Sequence, residues 1–261
     1  MILKTEGLIL RVLPYSRTSS MADCLTRGTG RVWLLAKGAQ RPRSAFLGQI
    51  DLFYTCEVLF YQRPSRVLIL KECEALNARE ALRNDWRAAA CASYFCDFTS
   101  HVTPPGVPHD DLFDLLESAL DILTIRGASP GLLCWYELAA LKVLGLGLSL
   151  QRCPLCGRDP AADGTLRMQV SARQGGVLCR RCQDRETGSP LTPITAGTLA
   201  MLRAWEEGLN PQTAANTVPS SSQLAEIQSV MTDFTAYHLD FQLRSRSLAL
   251  DLIKSRVQTS V

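Results

Sequence analysis

Short apolar stretches separated by turn residues dominate residues 2–75. Residues 7–12 (GLILRV) are apolar but for one arginine. Residues 21–26 and 31–36 (RVWLLA) flank Arg27-Gly28-Thr29-Gly30. Glycine supplies the positive φ of a reverse turn there, so the pair reads as a β-hairpin. Residues 52–61 (LFYTCEVLFY) and 66–73 (RVLILKEC) flank Gln62-Arg63-Pro64-Ser65, a second hairpin signature. Five short strands, with no strong helical period between most of them, predict a small closed barrel.

The period changes after Leu76. Residues 78–100 are Ala-rich, with Trp86, Tyr94, Phe95 and Phe98 at helical spacing. Thr103–Pro108 (TPPGVP) breaks that helix, and Asp110 or Asp111 can cap the next, which runs to about Arg126. After Gly127-Ala128-Ser129-Pro130, residues 132–144 form a helix so apolar that it is expected to be buried nearly all round. A cysteine-bearing module follows, from Leu150 to about Thr187. Residues 195–207 are helical. Residues 210–222 (NPQTAANTVPSSS) read as a linker. Residues 223–256 predict a long amphipathic helix or helix pair, with Leu224, Ile227, Met231, Phe234, Tyr237, Phe241 and Leu248 on a drifting stripe. Strands first and helices afterwards make an α+β chain. The predicted organisation is a barrel over 1–77, a helical part over 78–150, a cysteine module over 151–188 and a second helical part over 189–256.

Composition narrows the class. The chain has 261 residues, 46% hydrophobic and 20% charged, with a formal charge of +3, an ordinary globular mix. No apolar run reaches the roughly 18 residues that span a bilayer, and the N-terminus has no signal-peptide pattern, so a soluble cytoplasmic protein is expected. The charge is unevenly placed. Residues 1–50 carry eight cations and two acids, a local +6, whereas residues 109–124 carry five acids and no Lys or Arg. Binding to a polyanion depends on such local fields rather than on the sum.

Of ten cysteines, Cys24, Cys56, Cys73, Cys91, Cys96 and Cys134 sit in apolar segments without regular spacing and read as small hydrophobes. The other four form two C-x-x-C pairs, Cys153/Cys156 and Cys179/Cys182, with 22 residues between them. Zn²⁺ prefers a tetrahedron of thiolates, and each pair presents two sulfurs from one turn, so the set reads as a structural zinc site of ribbon type. A redox dithiol is the alternative. Arg180 and Arg181 beside it either contact phosphate or are solvated.

The second chemical signal is Ala36-Lys37-Gly38-Ala39-Gln40-Arg41-Pro42-Arg43-Ser44. Three cations on a loop leaving a strand can meet several phosphates, and Arg adds a planar fork and a face for bases. The alternative is a merely solvated loop. The sequence carries no recognisable catalytic motif. His101, His109 and His238 form no H-E-x-x-H, no H-x-E precedes a P-C-x-x-C, and P-loop, G-x-G-x-x-G and G-x-S-x-G motifs are absent. His238 reads as a packing or helix-surface residue.

In this order, the segments resemble the RecO family of bacterial DNA repair and recombination mediators. The carrying residues are Thr5-Glu6-Gly7-Leu8-Ile9-Leu10, Pro14-Tyr15, Leu25-Thr26, Gly28-x-Gly30-Arg31-Val32 and, most specific, the basic block 36–44. Tyr136-Glu137-Leu138 through Leu144-Gly145 into Cys153-x-x-Cys156-Gly, and Tyr237-His238-Leu239 with Ser247, continue the likeness.

The resemblance implies an N-terminal OB-fold barrel followed by a helical domain interrupted by a four-cysteine zinc module. It implies a nucleoid-associated protein that is not an enzyme. Such a protein binds single- and double-stranded DNA, anneals complementary strands and works with RecR to replace single-stranded-DNA-binding protein with RecA. The DNA-binding set is then Lys37, Arg41 and Arg43 of the loop with Arg31, Arg27 and Arg11 of the same basic stretch. The metal ligands are Cys153, Cys156, Cys179 and Cys182. Three places depart from the family pattern, the first being the turn after Tyr15, where Ser16-Arg17 stand in place of the common Gly-Glu. Gln40 stands where a second consecutive cation is common, and Cys134-Trp135 stand where a basic residue for the acidic tail of single-stranded-DNA-binding protein is expected. A different reading is a protein-interaction adaptor, with residues 132–148 as a groove for a partner's tail and DNA contact incidental.

Overall fold

The computed structural model describes residues 1–61, 67–162, 164–186, 190–208, 210–239, 241 and 243–254. The 62–65 turn and the last residues of the 223–256 helix lie outside these described residues.

Strands β1 (Ile2–Pro14), β2 (Ser20–Thr26), β3 (Gly30–Ala36), β4 (Thr55–Tyr61) and β5 (Val67–Asn77) close into a barrel in the order β1-β2-β3-β5-β4, with β4 returning to β1. Every neighbouring pair is antiparallel except β3 with β5. This is the five-stranded OB-type barrel expected from the sequence. Period-2 alternation fills it. Along β3, Arg31, Trp33 and Leu35 are only half-buried, while Val32, Leu34 and Ala36 between them join Ile9, Cys24, Cys56, Val58, Phe60, Leu68 and Leu70 in the interior.

β1 and β5 run longer than their apolar runs suggest, because closure pairs the polar residues before Gly7 with β4 and those after Cys73 likewise. β4 starts later than expected. Leu52 and Phe53 form a turn, with Phe53 at φ 70°, and Phe53 and Tyr54 bond back to the Ile9 backbone.

A one-turn 3-10 helix (Glu80–Arg83) leads into α1 (Trp86–Val102), whose N-terminus is capped by Asp85 accepting from the Arg87 and Ala88 amides. α2 (Asp110–Arg126) follows. Neither Asp110 nor Asp111 caps it. His109 occupies the cap position without a side-chain bond, and Asp110 Oδ1 instead accepts from the Gly28 amide at 2.8 Å. The acidic face of α2 is therefore turned to the barrel. Asp114 pairs with Arg27, Glu117 accepts from Thr55, and Asp121 takes Arg79 at 2.6 Å. The spacing 110, 114, 117 and 121 puts all four on one helix face.

α3 (Pro130–Val143) is buried from Gly131 through Leu141, as its composition predicts. Ser129 caps it and Pro130 takes the first position. Strands β6 (Arg167–Ser171), β7 (Gly176–Leu178) and β8 (Leu191–Thr195) form a sheet in the order β7-β6-β8. Between β7 and β8 lies a single turn, α4 (Arg180–Gln183), and α5 (Ala196–Gly208) follows β8. β8 escapes sequence reading because Pro193 sits inside it; as an edge strand it has no need of that missing N–H.

The expected 210–222 linker instead holds α6 (Pro211–Asn216), capped by Asn210 and anchored by buried Ala214. The C-terminal stretch is a helix pair, α7 (Ser221–Leu239) and α8 (Arg244–Lys254). Ile227, Met231 and Phe234 of its stripe are buried, but Tyr237 and Leu248 are exposed. The chain divides into two compact units, Met1–Gly127 with Ser245–Leu252, and Ala128–Arg244 with Ile253–Val261. No helix among the described residues is long and apolar enough to cross a membrane.

Candidate nucleic-acid interface and metal centre

The six cations singled out in the sequence fall into two groups. Lys37, Arg41 and Arg43 lie on the connection from β3 to β4, all exposed, and no carboxylate among the described residues pairs with any of them. Tight turns hold the loop: Ala39 N–H to Ala36 O, Arg41 N–H to Gly38 O at 3.1 Å, and Ser44 N–H to Arg41 O at 3.0 Å. Those bonds fix the backbone while the three side chains project into solvent.

Arg31, Arg27 and Arg11 are committed elsewhere. Arg31, 15% exposed, pairs with the carboxylate of Asp23, which is 1% exposed, at 3.0 Å and donates to Thr103 O at 3.0 Å. Burial pushes the Asp23 carboxyl above its ordinary range, and the Arg31 guanidinium works against that rise. Arg27 bonds Glu6 at 2.8 Å and Asp114 at 2.6 Å and lies 4.1 Å from the centre of the Phe113 ring. Arg11 reaches Asp97 at 3.1 Å. These three tie the barrel to its flanking helices, and the local charge of +6 is largely cancelled away from the β3–β4 loop.

One neighbour of that loop, which the charge count registers only through Arg17, adds an aromatic ring. The β1–β2 turn holds Tyr15 and Arg17, both exposed. Three hydrogen bonds stitch it to the basic loop: Gln40 N–H to Thr18 O at 3.0 Å, Gln40 side-chain amide to Ser20 Oγ at 3.3 Å, and Gly38 N–H to Ser19 Oγ at 3.2 Å. Gln40, the neutral member of an otherwise basic stretch, makes two of the three, one from its backbone and one from its side chain. No carboxylate among the described residues pairs with Arg17. The pattern Pro-Tyr-Ser-Arg ahead of a strand is the only sequence sign of this second turn.

In the second unit, Cys153, Cys156, Cys179 and Cys182 come together, with all four Sγ atoms within 4.8 Å of one another and Cys156 Sγ 3.5 Å from Cys179 Sγ. Tetrahedral thiolates at the Zn–S distance of about 2.3 Å would stand about 3.8 Å apart, so the set fits one tetrahedral ion. Each pair sits on its own turn. Gly157 N–H bonds Cys153 O at 2.8 Å, with Gly157 at φ 74°, and Cys182 N–H bonds Cys179 O at 2.9 Å. The intervening β6–β7 hairpin brings the second turn back to the first, and Leu178 and Leu191 pack beside the sulfurs.

Burial opposes ionisation of Cys153, but amides at Cys179, Leu155 and Cys156 outweigh it and bring the thiol down to about 7. Burial and three neighbouring sulfurs drive Cys182 up to about 12. Four thiols this close cannot all ionise without a cation among them. All four positions of the tetrahedron are protein sulfur, so the centre could hold a metal for structural purposes and offers no open position for substrate. Arg203 braces the same module, donating to Leu150 O at 2.8 Å and to Asp159 at 2.7 Å; that guanidinium holds the Asp159 carboxyl below its usual range.

Among the other cysteines, Cys24, Cys56, Cys91, Cys96 and Cys134 are buried and Cys73 is half-buried. His238 packs against Phe234, ring centres 4.2 Å apart, and bonds Ala172 O at 2.8 Å, the packing role expected of it. Cys134 and Trp135 are fully buried within α3. They present no surface to a partner's tail, and Gly131–Leu141 is core rather than groove.

Two family models match the chain. The model for the recombination protein O N terminal covers residues 1–79, and that for the recombination protein O C terminal covers residues 83–247. Among curated proteins, a DNA repair protein RecO of Anaeromyxobacter sp. (strain K) is 32% identical over 246 residues, spanning 93% of this chain and 94% of its own. The DNA repair protein RecO of Syntrophus aciditrophicus is 28% identical over 244 residues, 93% of each chain. That of Moorella thermoacetica is 28% identical, covering 94% of this chain and 90% of its own.

Proposed function

Because the chain belongs to the RecO family of DNA repair and recombination proteins, we propose that it is a non-enzymatic mediator that binds single- and double-stranded DNA and anneals complementary strands. The observation that supports this reading is the β3–β4 loop. Lys37, Arg41 and Arg43 are held on an OB-type barrel with no carboxylate partner among the described residues, while Arg11, Arg27 and Arg31 are neutralised. Unpaired exposed cations release counterions from a phosphate backbone, which favours binding without sequence readout. A protein that screens the repulsion between two strands at their phosphates leaves base edges free to pair.

Within this reading Arg31, Arg27 and Arg11 act at one remove, by holding the barrel against its helices. Zn²⁺ is the metal for the four thiolates, cross-linking two turns that share little core of their own. By family, the partners are RecR, single-stranded-DNA-binding protein and, through them, RecA. Contact with the acidic tail of single-stranded-DNA-binding protein is then made elsewhere than at Cys134 and Trp135. The compartment is the bacterial cytoplasm, at the nucleoid. The adaptor reading loses its main support with the burial of Gly131–Leu141.

The test is a stopped-flow annealing assay with complementary labelled strands. The protein should raise the annealing rate, and the Lys37→Glu/Arg41→Glu/Arg43→Glu variant should not. Strands that anneal no faster with protein than without it refute the proposal.

A further inference from the structure

The turn carrying Tyr15 is the strongest feature the basic loop does not account for. Tyr15 is 58% exposed, and its phenol makes no hydrogen bond among the described residues. Its backbone is nevertheless fixed. Tyr15 and Ser16 N–H groups both bond Ser19 O, at 3.0 and 3.1 Å, and the turn is sewn to the basic loop through Gln40 and Gly38. An exposed ring on a pinned turn is pre-organised for a flat ligand and gives up little entropy on contact.

The register places the ring relative to the cations. Pro14, Ser20 and Ala36 stand side by side across β1, β2 and β3. Tyr15 follows the first and Lys37 the last. At about 4.8 Å between strands the two turns are rooted about 10 Å apart. That spans about three nucleotides at the 3.4 Å stacked spacing. Arg17 brings a fourth cation to the same end of the barrel.

We propose that Tyr15 is the single-strand-specificity residue of this site, its ring stacking on one unpaired base while Arg17, Lys37, Arg41 and Arg43 hold the neighbouring phosphates. The inference rests on the DNA-binding reading above. A base inside a duplex has both faces covered by its neighbours, so only an unpaired base can lend a face to the ring. Cations alone serve both forms of DNA, and Tyr15 adds affinity for one of them.

The experiment titrates the full-length protein into labelled oligothymidylate and into a duplex of matched length, with Tyr15→Ala and Tyr15→Phe beside the wild type. Tyr15→Ala should bind the single strand about 5- to 150-fold more weakly, the range of one lost base stack. Duplex affinity and the salt slope of single-strand binding should stay as in the wild type. Tyr15→Phe should bind as the wild type does. A strand carrying 2-aminopurine should be quenched by wild type and Tyr15→Phe but less by Tyr15→Ala. Unchanged single-strand affinity in Tyr15→Ala overturns the inference, as does an equal loss for both DNAs. A wild type that binds neither DNA overturns the DNA-binding reading itself, and this inference with it.

Discussion

Replacing cations of the N-terminal barrel should separate two kinds of arginine that look alike in sequence. In Lys37→Ala/Arg41→Ala/Arg43→Ala, three exposed side chains without ion-pair partners among the described residues are lost, so stability should stay within about 0.5 kcal/mol of wild type. Binding should change. If each side chain neutralises one phosphate of a single strand, the slope of log K against log salt should shrink by about 2. Between 50 and 200 mM salt, the wild type should then lose about 20-fold more affinity than the variant does. Arg31→Ala should do the opposite. It strands Asp23, 1% exposed and already short of a partner at Oδ1. Breaking such a buried pair costs about 3–5 kcal/mol, or a fall of roughly 10 °C or more in Tm for a unit this size.

The pH dependence checks the cause. Burial raises the folded-state pKa of Asp23, and loss of Arg31 removes the charge that restrains that rise. Stability linked to a raised carboxyl is present below the unfolded value and lost as pH rises through the folded one. The gap between Arg31→Ala and wild type should therefore narrow as the pH is lowered from 7 towards the carboxylate range. Fluorescence anisotropy across a salt series and thermal melts across pH measure both arms. A constant or widening gap in acid refutes the assignment of Arg31. So does an Arg31→Ala variant with wild-type Tm and lost binding, which would return Arg31 to the DNA surface.

Three further outcomes follow from named contacts. The purified chain should carry one zinc per molecule by elemental analysis, and chelation or Cys182→Ser should raise hydrogen exchange around β6–β7 while leaving oligonucleotide binding by the basic loop in place; exchange unchanged without metal would remove its structural role. Gly30→Ala should fail to fold or lose well over about 2 kcal/mol, because a Cβ there would lie 2.1 Å from Val107 O at φ 78°, whereas Gly28→Ala, at φ 66° with nothing within 4 Å, should cost only the left-handed penalty of about 1–2 kcal/mol in denaturant melts. Arg79→Met removes a buried guanidinium and strands the polar groups it serves at Phe53 O and Thr55, and should cost about 1–3 kcal/mol, while Asp121→Asn leaves that guanidinium, 1% exposed, with only Glu117 at 3.8 Å as counter-charge and should cost at least as much.

Period and spacing made the barrel and the four-cysteine set legible, because both depend on residues near in sequence or on one unmistakable ligand chemistry. Alternation in residues 31–36 needs only the strand's own pleat, and two C-x-x-C turns announce themselves before any fold is known. What stayed hidden depends on which side chains the fold buries and pairs. Nothing local tells Arg31 from Arg41. The first faces an aspartate eight residues back that closure buries, and the second faces water. Asp110 reads as a helix cap because a cap is a local device, yet its carboxylate serves an amide 82 residues away. Pro193 disguises an edge strand, and Asn210-Pro211 marks a helix start inside a stretch polar enough to pass for a linker.

Gln40 shows the same point for function. By composition it subtracts a charge from the loop. Its backbone N–H bonds Thr18 O in the turn of Tyr15 and Arg17, and its side-chain amide bonds Ser20 where β2 begins, so a residue that weakens the charge motif also braces the neighbouring turn. A Lys or Arg at position 40 would add a cation and replace the amide at Ser20 with a longer donor. If the joined turns act as one surface, Gln40→Arg should tighten duplex binding through the added charge more than it tightens binding to a single strand. Equal gains for the two DNAs would mean that the turns act independently.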